Sequence, residues 1–287
     1  MKITKILEKN ENGVSFEFFP PKTESSKKSL ALTVKTLMKY KPLYASMTCG
    51  AGGGATRENT KIAVEMLRNE KSLLVMPHIT CIDAKTEEIR ELLGEYKKEG
   101  LENIMALRGD SSRESPKSDS LGACLSYARD LVRLIKDERD FCIGVAVYPE
   151  GHIETSTLEE DVQYTKEKID AGADFAVTQM FFDNAYYYKY LDRMKKHGVE
   201  IPILPGILPL TNIDKVKELA SVCRTTIPRD IEEKLISLSK RPEEMKKVGI
   251  DFTIKQCKDL MKNGFKKIHF FTLNQPETMK AILEAIS

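Results

Sequence analysis

The chain has 287 residues, a length that single α/β barrels commonly reach. Hydrophobic residues make up 41% and charged residues 31%, which is typical of a globular protein with enough apolar material for a sizeable core. The formal net charge is +2 without long runs of like charge, which argues against a nucleic-acid or acidic membrane partner. No segment approaches the roughly 18 apolar residues of a membrane span, and the N-terminus lacks the apolar region of a secretory signal.

The six cysteines are scattered and form no C-x-x-C pair. This distribution indicates reduced thiols in a cytoplasmic protein rather than a disulfide framework. Cys49, His78 and Cys81 fall near predicted strand ends, but their spacing fits no zinc pattern. We therefore favour separate packed or pocket-lining residues and predict no metal.

Eight apolar runs rich in β-forming residues follow one another along the chain. They cover residues 14–19, 43–48, 73–80, 103–109, 141–149, 174–182, 201–208 and 267–273. Several of these runs are almost continuously hydrophobic, as is typical of strands that are covered on both faces.

Helical patterns separate the predicted strands, for example over residues 24–40, 84–99 and 157–171. Strict alternation of strands and helices predicts a parallel sheet, and eight units suit a closed (β/α)8 TIM barrel. The longest connection, 212–262, contains two or three further helical patterns without a linker-like segment. We interpret them as extra helices between strands seven and eight, so that residues 1–287 form one catalytic domain.

Polar residues recur where the predicted strands end. In (β/α)8 barrels the chemistry lies at the carboxyl ends of the strands, so these residues predict a polar site there. The set consists of Glu17, Thr48, His78, Arg108, Gly109, Asp110, Tyr148, Glu150, His152, Gln179 and Asn274.

Glu17 lies within the aromatic strand "VSFEFF", which a double proline ends. Alternation places Phe16 and Phe18 on one face of the strand and Glu17 and Phe19 on the other. Burial among aromatic side chains raises a carboxyl pKa, and a carboxylic acid that stays protonated can act as a general acid. The alternative is an ion pair with a Lys or Arg inside the barrel, and strand position alone does not choose between the two.

Two glycine-containing loops also follow strands. In "ALRGDS" (106–111), Gly109 permits close backbone approach to a ligand, while Arg108 suits an anion and Asp110 an electron-poor ring. The alternative is a simple turn with an Arg–Asp pair. "GAGGGATR" (50–57) imitates a dinucleotide-binding fingerprint, but the next strand ends at His78 and its first acid is Asp83. We therefore favour a flexible loop at the barrel mouth.

Taken together, the motifs of the chain resemble those of the methylenetetrahydrofolate reductases. The resemblance covers residues 10–286 and follows the order and spacing of that family. It is carried by "SFEFFPPKT", "MTCGAGG", "PHITCID", "NIMALRGD", "VAVYPEGH", "DAGADFAVTQMFFD", "PILPGILP" and "HFFTLN". The resemblance implies a (β/α)8 barrel with a flavin across its mouth, which reduces 5,10-methylenetetrahydrofolate to 5-methyltetrahydrofolate.

The resemblance also implies roles for individual residues. Glu17 matches the acid that protonates the folate, Asp110 matches an acid near the flavin and pterin, and Gln179 matches a pterin ligand. Lys215 and Gln275 stand where the family has folate-contacting residues. The matches to flavin contacts are Thr48, His78, Arg108, Gly109, Asp110, Tyr127, Ala128, Tyr148, His152, Asp161 and Lys168.

The chain departs from the family pattern at several positions. Tyr164 and Glu167 stand where Asn and Arg are expected to contact the flavin phosphates and adenosine, so FMN stays an alternative to FAD. Gln275 replaces an Arg and Lys215 a residue that is often Gln. The implied donor is NAD(P)H or an electron-donor protein subunit of the iron–sulfur type, in a homo-oligomer or a hetero-complex. A pterin-binding barrel methyltransferase is the other enzyme class, and a binding or assembly subunit without catalysis stays open.

Overall fold

A computed structural model describes residues 1–49, 53–70, 72–82, 84–109, 125–138 and 140–287, and for residues 53–57 it describes the backbone alone. Asp110 and the first residues of the glycine-rich segment, 50–52, therefore lie outside the described part of the chain.

Nine parallel strands form one sheet in the described residues. They are β1 (Gly13–Phe18), β2 (Ala45–Met47), β3 (Val75–Thr80), β4 (Asn103–Leu107), β5 (Cys142–Val147), β6 (Phe175–Thr178), β7 (Ile203–Leu204), β8 (Gly206–Ile207) and β9 (Lys267–Phe271). The strand order is β7-β6-β5-β4-β3-β2-β1-β9-β8. Only Pro205 separates the two outer members of this order, so the sheet closes on itself and the predicted barrel is confirmed.

The seventh predicted strand, 201–208, is divided in the structure. Its first half, β7, pairs with β6, and its second half, β8, pairs with β9. Pro205 lies at the break, where its carbonyl group accepts a hydrogen bond from the amide of His269 at 3.0 Å. Proline has no amide hydrogen to donate. The chain can therefore change its pairing from β6 to β9 at this residue without leaving an amide unpaired.

Helices follow the strands and cover the barrel. They are α1 (Ile3–Lys9), α2 (Glu24–Leu37), α3 (Gly53–Arg68), α4 (Thr86–Lys98), α5 (Ala128–Glu138), α6 (Leu158–Asp170), α7 (Asn184–Lys196), α8 (Ile213–Cys223), α9 (Arg229–Ser237), α10 (Pro242–Lys262) and α11 (Pro276–Ile286). Their length and hydropathy, over the residues described, match no membrane-crossing helix.

The N-terminal helix α1 packs against the apolar interior of the barrel, a feature that the sequence did not predict. Ile3 and Leu7 are fully buried there in one cluster with Tyr44, Met105 and other inward-facing residues. The side chain of Asn103, at the start of β4, accepts a hydrogen bond from the amide of Ile3 and donates one to the carbonyl group of Met1. Apolar packing and polar anchoring therefore hold α1 against the amino-terminal ends of the strands.

Between strands seven and eight, where two or three helices were predicted, the structure has three, α8, α9 and α10. Their inner faces form an apolar cluster with residues from the ends of β6 and β8, including Met180 and Leu210. Gly249 allows α10 to approach the chain after β8, because a Cβ atom on this residue would meet the carbonyl oxygen of Leu210 at 1.6 Å. Thr253 adds a hydroxyl that accepts a hydrogen bond from the amide of Leu210 at 3.3 Å.

The faces of β1 follow the predicted alternation. Phe16 and Phe18 are buried in the cluster between the strands and the surrounding helices. Ser15 and Glu17 therefore point into the barrel, and both are buried. The parallel register pairs Glu17 with Ser46 of β2 and with Phe271 of β9.

Candidate active site

A cavity of about 1510 Å³ opens at the carboxyl ends of the strands. Pockets for single drug-sized ligands usually measure about 300–1,000 Å³, so this cavity has room for more than one such molecule. Most of the predicted site residues line it, namely Glu17, Thr48, His78, Arg108, Gly109, Tyr127, Ala128, Tyr148, His152, Asp161, Lys168 and Gln179.

Glu17 shares the buried part of the site with two histidines. Its Oε2 atom lies 3.5 Å from Nε2 of His78 and 3.8 Å from Nε2 of His269. Burial is the main cause that lowers the pKa of His78; the charge of Glu17 opposes the shift and His269 adds to it. His78 is therefore neutral near pH 7, and its buried Nε2 atom has no hydrogen-bond partner among the described residues.

The backbone around Glu17 is held by the residues that follow β9. Thr272 donates its hydroxyl hydrogen to the carbonyl oxygen of Glu17 at 2.6 Å. The side-chain amide of Asn274 accepts from the amide of Phe19 at 3.1 Å and donates to the carbonyl oxygen of Phe19 at 2.9 Å. To make these contacts, the chain places Leu273 and Asn274 in the left-handed region, at φ values of 48° and 54°. This fixes the end of β1, and with it the direction of Glu17.

A second group of polar residues lies where α6 meets the end of β5. Lys168 donates a hydrogen bond from Nζ to the carbonyl oxygen of Ala146 at 2.6 Å, and burial lowers its pKa to about 8. Asp161 is buried and accepts from the amide of His152 at 3.0 Å. Burial raises the pKa of Asp161, while Lys168 opposes that shift. Tyr148 packs against both Lys168 and His152.

Two arginines on the same side of the cavity form ion pairs. Arg108 contacts Glu154 through Nη1 at 2.5 Å, while its buried Nε atom has no partner within the described residues. Arg129 of α5 pairs with Glu167 of α6, and its guanidinium group stacks over Tyr127 at 4.5 Å from the ring centroid. Glu167, which the sequence made doubtful beside a phosphate, is therefore compensated by a cation.

Gly109 has a conformational reason to be glycine. Its φ of +85° lies in the left-handed region, and a Cβ atom would meet Thr80 and Ile82 at 2.9 Å. The backbone after β4 can therefore lie against the end of β3 and form part of the cavity wall.

Three predicted site residues are not placed in the cavity. Lys215 is exposed in the first turn of α8. Gln275 precedes α11, where its side-chain oxygen Oε1 accepts a hydrogen bond from the Thr278 hydroxyl at 3.1 Å. Neither residue lines the cavity, and Asp110 lies outside the described residues. Their roles stay predictions.

The thiol of Cys81 serves as a packed hydrogen-bond donor. It points to the carbonyl oxygen of Arg108 at 3.7 Å, and burial raises its pKa to about 11. A thiol that keeps its proton is a poor metal ligand, in accord with the interpretation of Cys81 as a packed residue.

Comparison with known proteins identifies the family. The family model described as methylenetetrahydrofolate reductase matches residues 2–287. The 5,10-methylenetetrahydrofolate reductase of Pectobacterium carotovorum is 38% identical over 273 residues, which cover 95% of this chain and 89% of the relative. The Escherichia coli K12 protein of the same name is 37% identical, with coverage of 95% and 90%. The chain belongs to the methylenetetrahydrofolate reductase family.

Members of the methylenetetrahydrofolate reductase family are flavin-dependent oxidoreductases that reduce 5,10-methylenetetrahydrofolate to 5-methyltetrahydrofolate. A plant relative, methylenetetrahydrofolate reductase (NADH) 1 of Arabidopsis thaliana, is 34% identical over 98% of this chain, which spans 49% of the plant protein. A solved structure from Clostridium thermocellum, described as binding two copies of 5-methyl-5,6,7,8-tetrahydrofolic acid, covers the whole chain at a TM-score of 0.66 and 14% identity. At that identity the likeness supports the fold alone.

Several residues of the site were missed at the level of sequence. His269, Glu154 and Arg129 were not singled out, although each contacts a predicted site residue. Alternation within "KIHFFTL" places His269 on the same face as Phe271, which lines the cavity. The alternation in this strand was therefore the sequence signal that could have identified His269 as an inward-facing residue.

Proposed function

We propose that this chain reduces 5,10-methylenetetrahydrofolate to 5-methyltetrahydrofolate with Glu17 as the proton donor. The observation that carries the proposal is a buried carboxyl group, 8% exposed, at the end of β1 in a cavity large enough for two ligands. In the described residues, the side chains within ion-pair distance of this carboxyl group are two imidazoles and no Lys or Arg. Glu17 is thus not tied to a permanent cation and is able to carry a proton.

The reaction needs an acid because the one-carbon bridge of the substrate joins N5 and N10 of the folate. Protonation at N10 lets the bond from the bridge carbon to N10 break, which leaves a cationic iminium at N5. A hydride added to that carbon then gives the 5-methyl group. Glu17 supplies the proton, and its resulting negative charge stabilises the cation that forms beside it.

The residues on the other side of the cavity fit a flavin. Arg108, Arg129 and Lys168 offer N–H donors for phosphate groups, although the two arginines also pair with Glu154 and Glu167. The Nε–H group of Arg108 is a buried donor without a partner among the described residues. A bound flavin supplies the hydride-transfer chemistry that side chains lack. The predicted flavin contacts Thr48, Gly109, Tyr127, Ala128, Tyr148 and His152 also line the cavity.

We favour FAD over FMN as the flavin. The sequence raised Glu167 as an objection, since a carboxylate beside a pyrophosphate is unfavourable, but Arg129 neutralises this charge. Asp161 and Lys168 line the cavity from the same face of α6, and this face suits a ribose and a phosphate together. FMN alone in the purified protein would contradict this assignment.

Other roles follow from position. Gln179, whose side-chain oxygen accepts from the amide of Met180 at 2.9 Å, lines the cavity and suits a pterin. Asp110 directly follows Gly109 in the sequence, so it suits a place between flavin and pterin. Lys215 and Gln275 suit the glutamate tail of the folate only if that tail extends beyond the cavity.

Three wider features are part of the same proposal. Residues 1–287 form one catalytic domain, because α10 packs on α7 and α11 of the barrel as well as on α9. The protein acts in the cytoplasm, since the six scattered cysteines suit reduced thiols and Cys81, Cys142 and Cys257 are buried outside any disulfide. The donor is NAD(P)H, with reduction by an iron–sulfur partner subunit as the second candidate.

Substitution of Glu17 by Gln tests the function. Gln keeps the shape and polarity of the side chain but has no proton to give, so we expect the folate half-reaction to slow by roughly 10²–10⁴-fold. The assay mixes reduced, flavin-loaded protein with methylenetetrahydrofolate without oxygen and follows the visible absorbance of the flavin. Glu102→Gln is the matched control, because Glu102 lies at the other end of the barrel, where it pairs with the N-terminus.

The reduction of the flavin by its donor needs no proton from Glu17, so this half-reaction should survive in Glu17→Gln. A Glu17→Gln protein that oxidises at the wild-type rate with methylenetetrahydrofolate would refute the role of Glu17. A wild-type protein that purifies without flavin and transfers a methyl group would instead support the methyltransferase alternative.

A further inference from the structure

The interior of the barrel contains a histidine that the reaction described above does not use. His269 of β9 is 1% exposed, and its ring is stacked on Tyr44 at 5.5 Å between centroids, with Phe271 against it edge-on. These contacts fix the plane of the imidazole. In that plane, Nδ1 faces Ser15 and Nε2 faces Glu17.

The hydrogen bond to Ser15 determines what His269 presents to Glu17. Ser15 Oγ lies 2.8 Å from Nδ1 of His269, and in a neutral imidazole only one of the two nitrogens carries hydrogen. If the Ser15 hydroxyl donates to Nδ1, the hydrogen of the ring must lie on Nε2, which points to Oε2 of Glu17. Ser15 and His269 are register partners on β1 and β9, so the sheet itself sets this contact.

We propose that His269, with its tautomer fixed by Ser15, is a positioning residue that directs the acidic proton of Glu17 into the cavity. An Nε2–H group that donates to Oε2 makes this oxygen an acceptor. Both histidines approach the carboxyl group at Oε2, so the proton of the acid then lies on Oε1. The proposal rests on the function proposed above, in which Glu17 protonates the folate.

The separation of 3.8 Å between Nε2 and Oε2 is longer than a hydrogen bond. Catalytic hydrogen bonds are often long without substrate and tighten in the complex. Within the described part of the chain, the other titratable groups that face Glu17 are His78 from β3 and Tyr44, which precedes β2. Burial keeps both of these neutral near pH 7, because it lowers the pKa of His78 and raises that of Tyr44.

Two substitutions of His269 separate the donor function from packing. The terminal amide of Gln reaches the place of Nε2, so His269→Gln keeps a donor toward Glu17. The shorter Asn side chain reaches only the place of Nδ1, so His269→Asn keeps the contact with Ser15 and loses the donor. We expect the folate half-reaction to slow at least tenfold in His269→Asn and to stay within about threefold of wild type in His269→Gln, since one donor is typically worth about one pKa unit.

The pH profile adds a readout that packing alone would not move. A donor to a carboxyl group stabilises its charged form, so loss of the donor favours the protonated form of the acid. The alkaline limb of the folate half-reaction should therefore move to higher pH in His269→Asn and not in His269→Gln. Ser15→Ala should shift this limb in the same direction by less. Ser46→Ala should leave the limb in place, because the buried hydroxyl that it removes has no hydrogen-bond partner among the described residues.

Nitrogen NMR of ¹⁵N-histidine protein tests the tautomer without any activity measurement. The chain has four histidines, and loss of one set of signals in His269→Gln assigns His269. We expect wild-type His269 to carry hydrogen on Nε2, and its Nε2 signal to shift in Glu17→Gln. Hydrogen on Nδ1, or equal rates and profiles for the Asn and Gln variants, would overturn the proposal. Absence of folate reduction by the wild-type protein would instead refute the proposed function, while the tautomer stays readable.

Discussion

The buried ammonium group of Lys168 is expected to lower the stability of the flavin-free protein and to help to bind the flavin. Its ammonium group is partly buried beside Asp161 and donates to the carbonyl oxygen of Ala146. Replacement by Met keeps most of the side-chain volume and removes the charge. We expect Lys168→Met to retain flavin less well, because a phosphate-binding cation is lost. We also expect the difference in stability between the flavin-free variant and the flavin-free wild type to change with pH by an amount that can be calculated.

The calculation starts from the pKa of Lys168, which burial lowers from 10.5 to about 8. A folded pKa below the unfolded value means that the unfolded chain binds the proton more tightly. The ammonium group therefore opposes folding fully below pH 8, and this penalty disappears as the pH rises toward 10.5. At about 1.4 kcal/mol per unit, the penalty is about 3 kcal/mol at pH 7 and about 1.4 kcal/mol at pH 9.5.

Loss of the hydrogen bond to Ala146 costs about 1–3 kcal/mol at either pH, so it cancels when the two conditions are compared. The stability of Lys168→Met relative to wild type should thus fall by roughly 2 kcal/mol from pH 7 to pH 9.5. Urea unfolding of the flavin-free proteins measures it. Lys166→Met is the control, since Lys166 lies on the same helix and pairs with Asp170 at the surface. A difference that does not change with pH would refute the burial of a charged Lys168.

Two further predictions concern packing. Gly249→Ala should destabilise the protein by roughly 1–3 kcal/mol or more in urea unfolding, because the added Cβ would overlap the carbonyl oxygen of Leu210. An unchanged midpoint of the urea unfolding curve would show that α10 does not approach the barrel so closely. Leu7→Ala should cost about 2–5 kcal/mol of stability, since Leu7 is 2% exposed at the amino-terminal end of the barrel, yet leave the folate half-reaction unchanged. A loss of activity without a loss of stability would mean that α1 serves the site rather than the core.

The order of the elements could be predicted from sequence because it depends on local patterns. Continuous apolar runs and three- to four-residue spacing depend on which faces are covered, and a parallel barrel covers both faces of nearly every strand. The division of the seventh strand at Pro205 was not predicted. It depends on where β6 and β9 present their hydrogen-bonding groups, and on the backbone of Gly206, where a Cβ atom would meet the carbonyl oxygen of Thr178 at 2.2 Å. The positions of β6 and β9 and the approach of Thr178 to Gly206 come from the tertiary structure and are not visible in residues 201–208 alone.

The candidate site divides in the same way. Residues at strand ends were predicted to meet, and most of the described ones line one cavity, because parallel strands bring their carboxyl ends to one mouth. Glu150 and Asn274 do not line it and contact the backbone of Thr226 and Phe19 instead. The residues that form hydrogen bonds or ion pairs with site residues come from other parts of the chain. His269 lies 254 residues from its partner Ser15, and Arg129 compensates Glu167 from a neighbouring helix. Sequence reasoning found the charge of Glu167 but not its counter-charge, because only the packing of α5 against α6 supplies it.

The interpretation of Glu17 shows most clearly what the structure adds. The sequence left two alternatives, a protonated acid or an ion pair with a buried Lys or Arg. A permanent cation would hold the carboxylate in its charged form and oppose proton transfer. In the described residues, the carboxyl group meets only imidazoles at ion-pair distance, and burial keeps His78 neutral. An imidazole can donate to a carboxylate or accept from a carboxylic acid, so both protonation states of Glu17 find a partner. A residue that must lose and regain a proton in every turnover requires such surroundings.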